Sequence, residues 1–164
     1  MTINGNGTVQ GKTRSVWARG NDNPTVTING GKYVGAVGGS TCEVIYASGN
    51  GKINIYGGTF EAETQDNVSF AAPQYAVLNL YNNGAAGNDI VVYGGSFKNF
   101  DPANNISENP AHNFCAPGYS SAKVGDYYVV GEGQVVATAD EFAAAMKSTE
   151  ENIKVTLAND IDVA

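Results

Sequence analysis

The sequence predicts an all-β solenoid in which short parallel strands stack coil upon coil. Three observations carry this expectation. Of 164 residues, 21 are Gly and 19 are Asn, a turn-forming quarter of the chain that disfavours long helices. Three segments repeat one pattern: Thr25-Val26-Thr27-Ile28-Asn29-Gly30-Gly31-Lys32-Tyr33, Lys52-Ile53-Asn54-Ile55-Tyr56-Gly57-Gly58-Thr59-Phe60 and Asp89-Ile90-Val91-Val92-Tyr93-Gly94-Gly95-Ser96-Phe97. Each has apolar residues two apart, then Gly-Gly, a polar residue and an aromatic. A second strip repeats between them: Val16-Trp17-Ala18-Arg19-Gly20-Asn21 matches Ile45-Tyr46-Ala47-Ser48-Gly49-Asn50 and, more weakly, Leu78-Asn79-Leu80-Tyr81-Asn82-Asn83. Repeats of this length mark solenoids or propellers.

The segment from Met1 to Val9 reads as a degenerate first copy. In the full copies, period-two alternation places Val26 and Ile28, Ile53 and Ile55, and Ile90 and Val92 on one face. A strand of four or five residues cannot bury that face alone, so like strands must stack and share an apolar ladder. The pairs Gly30-Gly31, Gly57-Gly58 and Gly94-Gly95 form the corners, where glycine supplies φ > 0 without steric cost. Asn21, Asn50 and Asn83 take corner positions on the second strip, since Asn tolerates the left-handed region and can stack between coils.

Aromatic columns follow from the same alignment. Tyr56 and Tyr93 precede Gly-Gly; Tyr33, Phe60 and Phe97 follow it by one residue. Trp17 and Tyr46 match on the second strip, and alternation against Val16 and Ile45 points them outward, as a subunit interface or a glycan-binding strip. A propeller needs four strands per blade and more blades than this length allows. An immunoglobulin-like sandwich has no need for a repeated Gly-Gly-x-aromatic signature.

After Phe97 the repeat stops. Pro102 and Pro110 break strands. Two short strands, Tyr119 to Lys123 and Tyr127 to Val130, flank a Gly125-Asp126 turn and predict a hairpin that closes the last coil, where an open edge would invite further pairing. Residues 1–130 thus form one unit and residues 131–164 a second. The second holds a Gly131-Glu132-Gly133 linker, a strand at Val135-Val136-Ala137 and a helix from about Ala139 to Thr149 capped by Thr138 or Asp140. Phe142, Ala145 and Met146 share one helix face. A strand at Ile153 to Leu157 follows, and Ile161 and Val163 begin another. The expectation is the opening cap of a further solenoid, in a piece of a longer protein or in a chain whose continuation a partner supplies.

The rung I-x-I-x-G-G-x-F carries a resemblance when it is followed by Phe97-Lys98-Asn99-Phe100-Asp101-Pro102-Ala103-Asn104-Asn105, Asn113-Phe114-Cys115-Ala116-Pro117-Gly118-Tyr119 and Gly125-Asp126-Tyr127-Tyr128-Val129-Val130. Over residues 1–130 it resembles the pectate-lyase-like right-handed parallel β-helix proteins of gut bacteria and their phages. The resemblance implies a right-handed parallel β-helix with a short C-terminal strand–helix–strand segment. It further implies a non-enzymatic virion protein, a head fibre, tail spike or capsid-decoration protein. Such a protein would assemble as a homotrimer or with other virion proteins and would adhere to a host-surface glycan. Two alternatives stay open: a bacterial adhesin module, at the cell surface or secreted, and a polysaccharide lyase or hydrolase on the same fold.

Charge and motif content narrow the chemistry. With seven Lys and two Arg against sixteen acids, the net charge is −7, and no basic stretch matches a phosphate backbone, so nucleic acid is not an expected partner. No run of eighteen apolar residues predicts a membrane span. The start, Met1-Thr2-Ile3-Asn4-Gly5, lacks the basic-then-apolar pattern of a signal peptide. Glu61 with Glu63, and Asp160 with Asp162, read as solvated acids; Asp66, Asp89 and Asp101 fall in expected loops, and none has a partnered base. One histidine, His112, and two cysteines are too few for a zinc site. Cys42 and Cys115 read as free, buried thiols. No catalytic residue, metal or cofactor is expected.

Overall fold

β-branched residues at alternating positions favour extended backbone, and the repeated segments fold as strands. The computed structural model describes residues 1–35, 43–62, 77–105, 107–108, 110–149 and 152–162. The strands are β1 (Thr2–Ile3), β2 (Thr8–Gly11), β3 (Val16–Gly20), β4 (Thr25–Ile28), β5 (Lys32–Gly35), β6 (Ile45–Gly49), β7 (Lys52–Ile55), β8 (Thr59–Ala62), β9 (Leu78–Leu80), β10 (Asp89–Val92), β11 (Gly95–Lys98), β12 (Tyr119–Val124), β13 (Tyr127–Glu132), β14 (Gln134–Val136) and β15 (Val155–Leu157). One α-helix, α1 (Ala139–Met146), lies among them. The fold is all-β, and its principal sheets are parallel.

The chain visits three sheets in rotation. β1, β4, β7 and β10 form one; β2, β5, β8 and β11 run through the second; β3, β6 and β9 form the third. Register is kept from repeat to repeat. Val26, Ile53 and Ile90 lie opposite one another in one row, and Ile28, Ile55 and Val92 in the next; all six are buried. Ile3 of the degenerate copy sits opposite Ile28. In the second sheet, Tyr33, Phe60 and Phe97 are fully buried. Their rings stack at 5.1 and 4.8 Å with planes 10° apart. The ladder residues and this column belong to one contiguous hydrophobic core.

The two glycines of each pair do different work. Gly31, Gly58 and Gly95 have φ of +99°, +121° and +118°, the conformation that glycine alone adopts freely. The first members have no positive φ. Gly94 is needed for close approach, since a Cβ there would sit 2.6 Å from the Tyr56 carbonyl oxygen of the preceding repeat. On the second strip, Gly20 and Gly49 carry the positive φ rather than Asn21 and Asn50. Asn50 instead donates its side-chain amide to the Asn21 carbonyl at 3.2 Å. Asn83, with Asn82, is left-handed at φ +51° and +52°.

Each sheet's last strand is covered by the segment after Phe97, in a different way. Hairpin strand β13 pairs antiparallel with β11, and β12 with β13. Cys115 bridges to Val92 on β10. On β9, the Leu80 N–H donates to the Glu108 carboxylate at 2.6 Å. Backbone groups of Leu80 and Val92, and the β11 edge, thus find partners where the repeat stops.

The C-terminal residues depart from the expected boundaries. α1 ends at Met146, and Thr138 alone is the N-cap, in a capping box with Glu141. Ala145 is buried, but Met146 is 68% exposed, so Met146 does not join an inward face. β14 is shifted one residue toward the N-terminus, β15 starts two residues later than expected, and the two pair in parallel. Ile161 is outside any strand, and Val163 lies outside the described residues. Gly131–Gly133 is no free linker. Thr156 donates its hydroxyl to the Glu132 carbonyl at 2.7 Å, and Gly133 N–H donates to Gly118 O at 2.7 Å, so this segment docks on the closing hairpin.

Candidate functional site

A concave feature lies on the outer side of the β3–β6–β9 sheet. It is a groove of about 560 Å³ walled by Arg14, Trp17, Arg19, Tyr46, Ser48 and Tyr81. Trp17 and Arg19 are two apart on β3 and so project from one face. Arg14 is aimed by the turn that precedes β3. The chain folds back so tightly there that a Cβ on Gly11 would lie 1.7 Å from the Arg14 carbonyl oxygen. Ser15 anchors the turn, donating its N–H to Val44 O at 2.9 Å and its hydroxyl to Val34 O at 2.7 Å.

The walls interlock. The Arg14 guanidinium lies 4.5 Å from the Tyr46 ring centroid and 5.0 Å from that of Trp17, and the Arg19 guanidinium lies 4.9 Å from Trp17. Such cation–π contacts hold arginine planes against aromatic rings. The Trp17 indole N–H donates to Ser48 Oγ at 2.8 Å, which fixes the ring. Arg14 pairs with Glu43 at 2.8 Å. Burial pushes the Glu43 carboxyl above its ordinary range, and the Arg14 charge only partly offsets this. Burial likewise pushes Glu108 up, against the pull of the Leu80 N–H. Among the described residues, Arg19 makes no ion pair.

This geometry alters the expectation for the aromatic strip. Trp17 and Tyr46 are opposite in register and their rings lie 5.9 Å apart. Trp17 is 44% exposed, but Tyr46 is only 9% exposed, because Arg14 lies against its ring. The outward pair is therefore one exposed aromatic above one covered aromatic, on a concave wall. Arg14, Arg19, Ser48 and Tyr81 also line the groove, and repeat alignment gives none of them a site role. A signal for two of them was present: the chain's only two arginines flank its only tryptophan.

The other candidates are engaged elsewhere. Glu61 accepts from the Tyr127 hydroxyl at 2.5 Å and pairs with Lys32 at 3.1 Å. Asp101 accepts from Ala103 N–H at 3.0 Å and from the Ser121 hydroxyl at 2.5 Å. His112 is half-buried, its ring 4.7 Å from that of Phe114. Cys115 is a free, buried thiol, and burial pushes its pKa up to about 12, which makes it a poor nucleophile. Glu63, Asp66 and Cys42 lie outside the described residues. Among the described residues, no three His, Cys, Asp or Glu side chains gather as a metal site, and no helix is long and apolar enough to cross a membrane. Compared with family models, curated proteins and solved structures, the chain finds no match.

Proposed function

We propose that this protein is a non-enzymatic structural and adhesive module of a virion, a right-handed parallel β-helix that holds a host-surface glycan in the Arg14–Trp17–Arg19 groove. The observation that carries the adhesive role is the groove itself. A chain of net charge −7 places its only tryptophan and both its arginines around one concavity. Sites for small ligands are concave and aromatic-lined, with a few fixed polar groups. Rotation of the strands through three in-register sheets supports the β-helix reading. A stack of this kind presents side chains on a stiff surface, because each coil is pinned by its neighbours.

The engagement of the buried acids Glu43 and Glu108 and of the half-buried Glu61 supports a binding rather than a hydrolytic role. Glycoside hydrolysis uses one carboxyl as acid and a second as base or nucleophile. Glu43 is tied to Arg14, Glu61 to Tyr127 and Lys32, and Glu108 to the Leu80 N–H. The virion placement rests on the likeness of the closing block. Two measurements test the proposal together. Purified virions should contain the chain, and the labelled chain should be retained on host cells without releasing reducing sugar ends. Trp17→Ala should abolish retention with an unchanged circular dichroism spectrum. Retention unaffected by Trp17→Ala removes the groove as the adhesive site, and release of reducing ends removes the non-enzymatic reading.

A further inference from the structure

We infer that the groove takes an acidic saccharide, with Arg19 receiving the sugar carboxylate; this rests on the adhesive reading above and assigns its ligand class. The two guanidiniums of the groove are not equivalent. The charge of Arg14 is matched by Glu43 at 2.8 Å, its Nε is buried, and its plane is spent against the Tyr46 ring. Arg14 is a wall. Arg19 is exposed and has no ion pair among the described residues. Trp17, itself fixed by Ser48, lies against it. Arg19 therefore offers a partly pre-oriented fork at the rim of the groove, with no ion-pair partner among the described residues.

A guanidinium fork matches a carboxylate in bidentate geometry, and pre-orientation lowers the entropy lost on binding. The rest of the lining favours a sugar over a peptide as the carrier of that carboxylate. Trp17 and the 56%-exposed Tyr81 offer ring surface, while Asn21 and Ser48 offer hydrogen-bonding groups. Flat apolar surface beside hydroxyl and amide partners suits a pyranose, which has an apolar C–H face and a polar rim. Among the described residues, no aliphatic side chain lines the groove to take a peptide side chain. A nucleic-acid strand is disfavoured by the net charge of −7.

Trp17 is the chain's only tryptophan, so intrinsic fluorescence reports from the groove without a label. The full chain is titrated with a glucuronic-acid-containing tetrasaccharide, with the same tetrasaccharide after carboxyl reduction, and with an oligoglutamate peptide. The acidic sugar is expected to give a saturable change, weakening as salt rises, with affinity at least tenfold above the reduced sugar. Arg19→Gln, an exposed substitution that spares the core, should bring the acidic sugar down to the level of the neutral one, and Arg19→Lys should restore part of the difference. Equal affinity for both sugars, or an Arg19→Gln variant that still prefers the acid, overturns the acidic class while leaving groove adhesion standing. Tighter binding of oligoglutamate than of the acidic sugar overturns the saccharide assignment. Failure of both sugars to bind, with Trp17-dependent retention on host cells intact, overturns this inference alone; loss of that retention as well overturns the adhesive reading on which it rests.

Discussion

Phe60 is the middle ring of the Tyr33–Phe60–Phe97 column, and truncating it to Ala is the sharpest test of coil stacking. The side chain is fully buried, with one ring at 5.1 Å on one side and another at 4.8 Å on the other. Phe→Ala in a core costs about 3–5 kcal/mol, from lost transfer energy and the cavity left behind. Two stacked neighbours, each worth about 0.5–1.5 kcal/mol, place Phe60 in the upper part of that range, at about 4–5 kcal/mol. Phe97 has one ring partner in the column, so Phe97→Ala should cost about 1 kcal/mol less. With a urea m-value of about 2 kcal/mol/M, the Phe60→Ala midpoint should fall by about 2 M. Urea unfolding followed by far-UV circular dichroism measures both variants. Phe60→Leu keeps much of the volume and gives a readable transition if the alanine variant does not fold. A Phe60→Ala cost under about 1.5 kcal/mol, below the core range, or a Phe97→Ala cost exceeding it, would refute the stacked column.

Two further outcomes follow. The Tyr127–Glu61–Lys32 cluster ties hairpin strand β13 to β8 and β5 and should impose a pH window on stability. Burial raises the Glu61 carboxyl, but the Tyr127 hydroxyl and Lys32 outweigh it and hold its pKa below the ordinary value. Its contribution is thus full above the ordinary carboxylate range and lost as pH falls through the lowered pKa. The hydrogen bond to Glu61, then burial, pushes Tyr127 up to about 12. That contribution is full below about 10, the ordinary phenol value, and fades as pH rises through the raised one. Urea midpoints from pH 3 to 12 should show both limbs, and Glu61→Gln should flatten both; an unchanged profile in that variant rejects the cluster as their source. Light scattering should give a homotrimer, three times the 17.0 kDa chain mass. The half-exposed Tyr56, stacked on Tyr93 at 4.6 Å, is the better interface candidate, so Tyr56→Ser should weaken the trimer and Trp17→Ser should not. A monomer at every concentration rejects the trimer.

Much of this architecture is written in local periodicity. In a stack of repeats, neighbours in space are equivalent positions in sequence, so aligning the copies is the same operation as reading the strand register. For that reason Val26, Ile53 and Ile90 can be paired on paper, and likewise Trp17 with Tyr46. The hairpin after Phe97 is legible because Gly125-Asp126 sits between two short strand-forming runs. Contacts made between non-equivalent positions have no such signature. Glu108 reaching the Leu80 N–H across 28 residues, Tyr127 reaching Glu61 across 66 and Arg14 lying over Tyr46 depend on where loops and turns carry single side chains. The period-two rule assigned Tyr46 a side of its strand and could not say that Arg14 would cover it. Helical spacing likewise assigned Met146 a face, but not whether anything packs there, and Met146 is exposed. Sequence by itself determined the ladder and the Gly-Gly corners beside it, because these are set by side-chain alternation and by where only glycine fits. Tertiary structure decided the groove, because a concavity is made by elements that no single repeat contains.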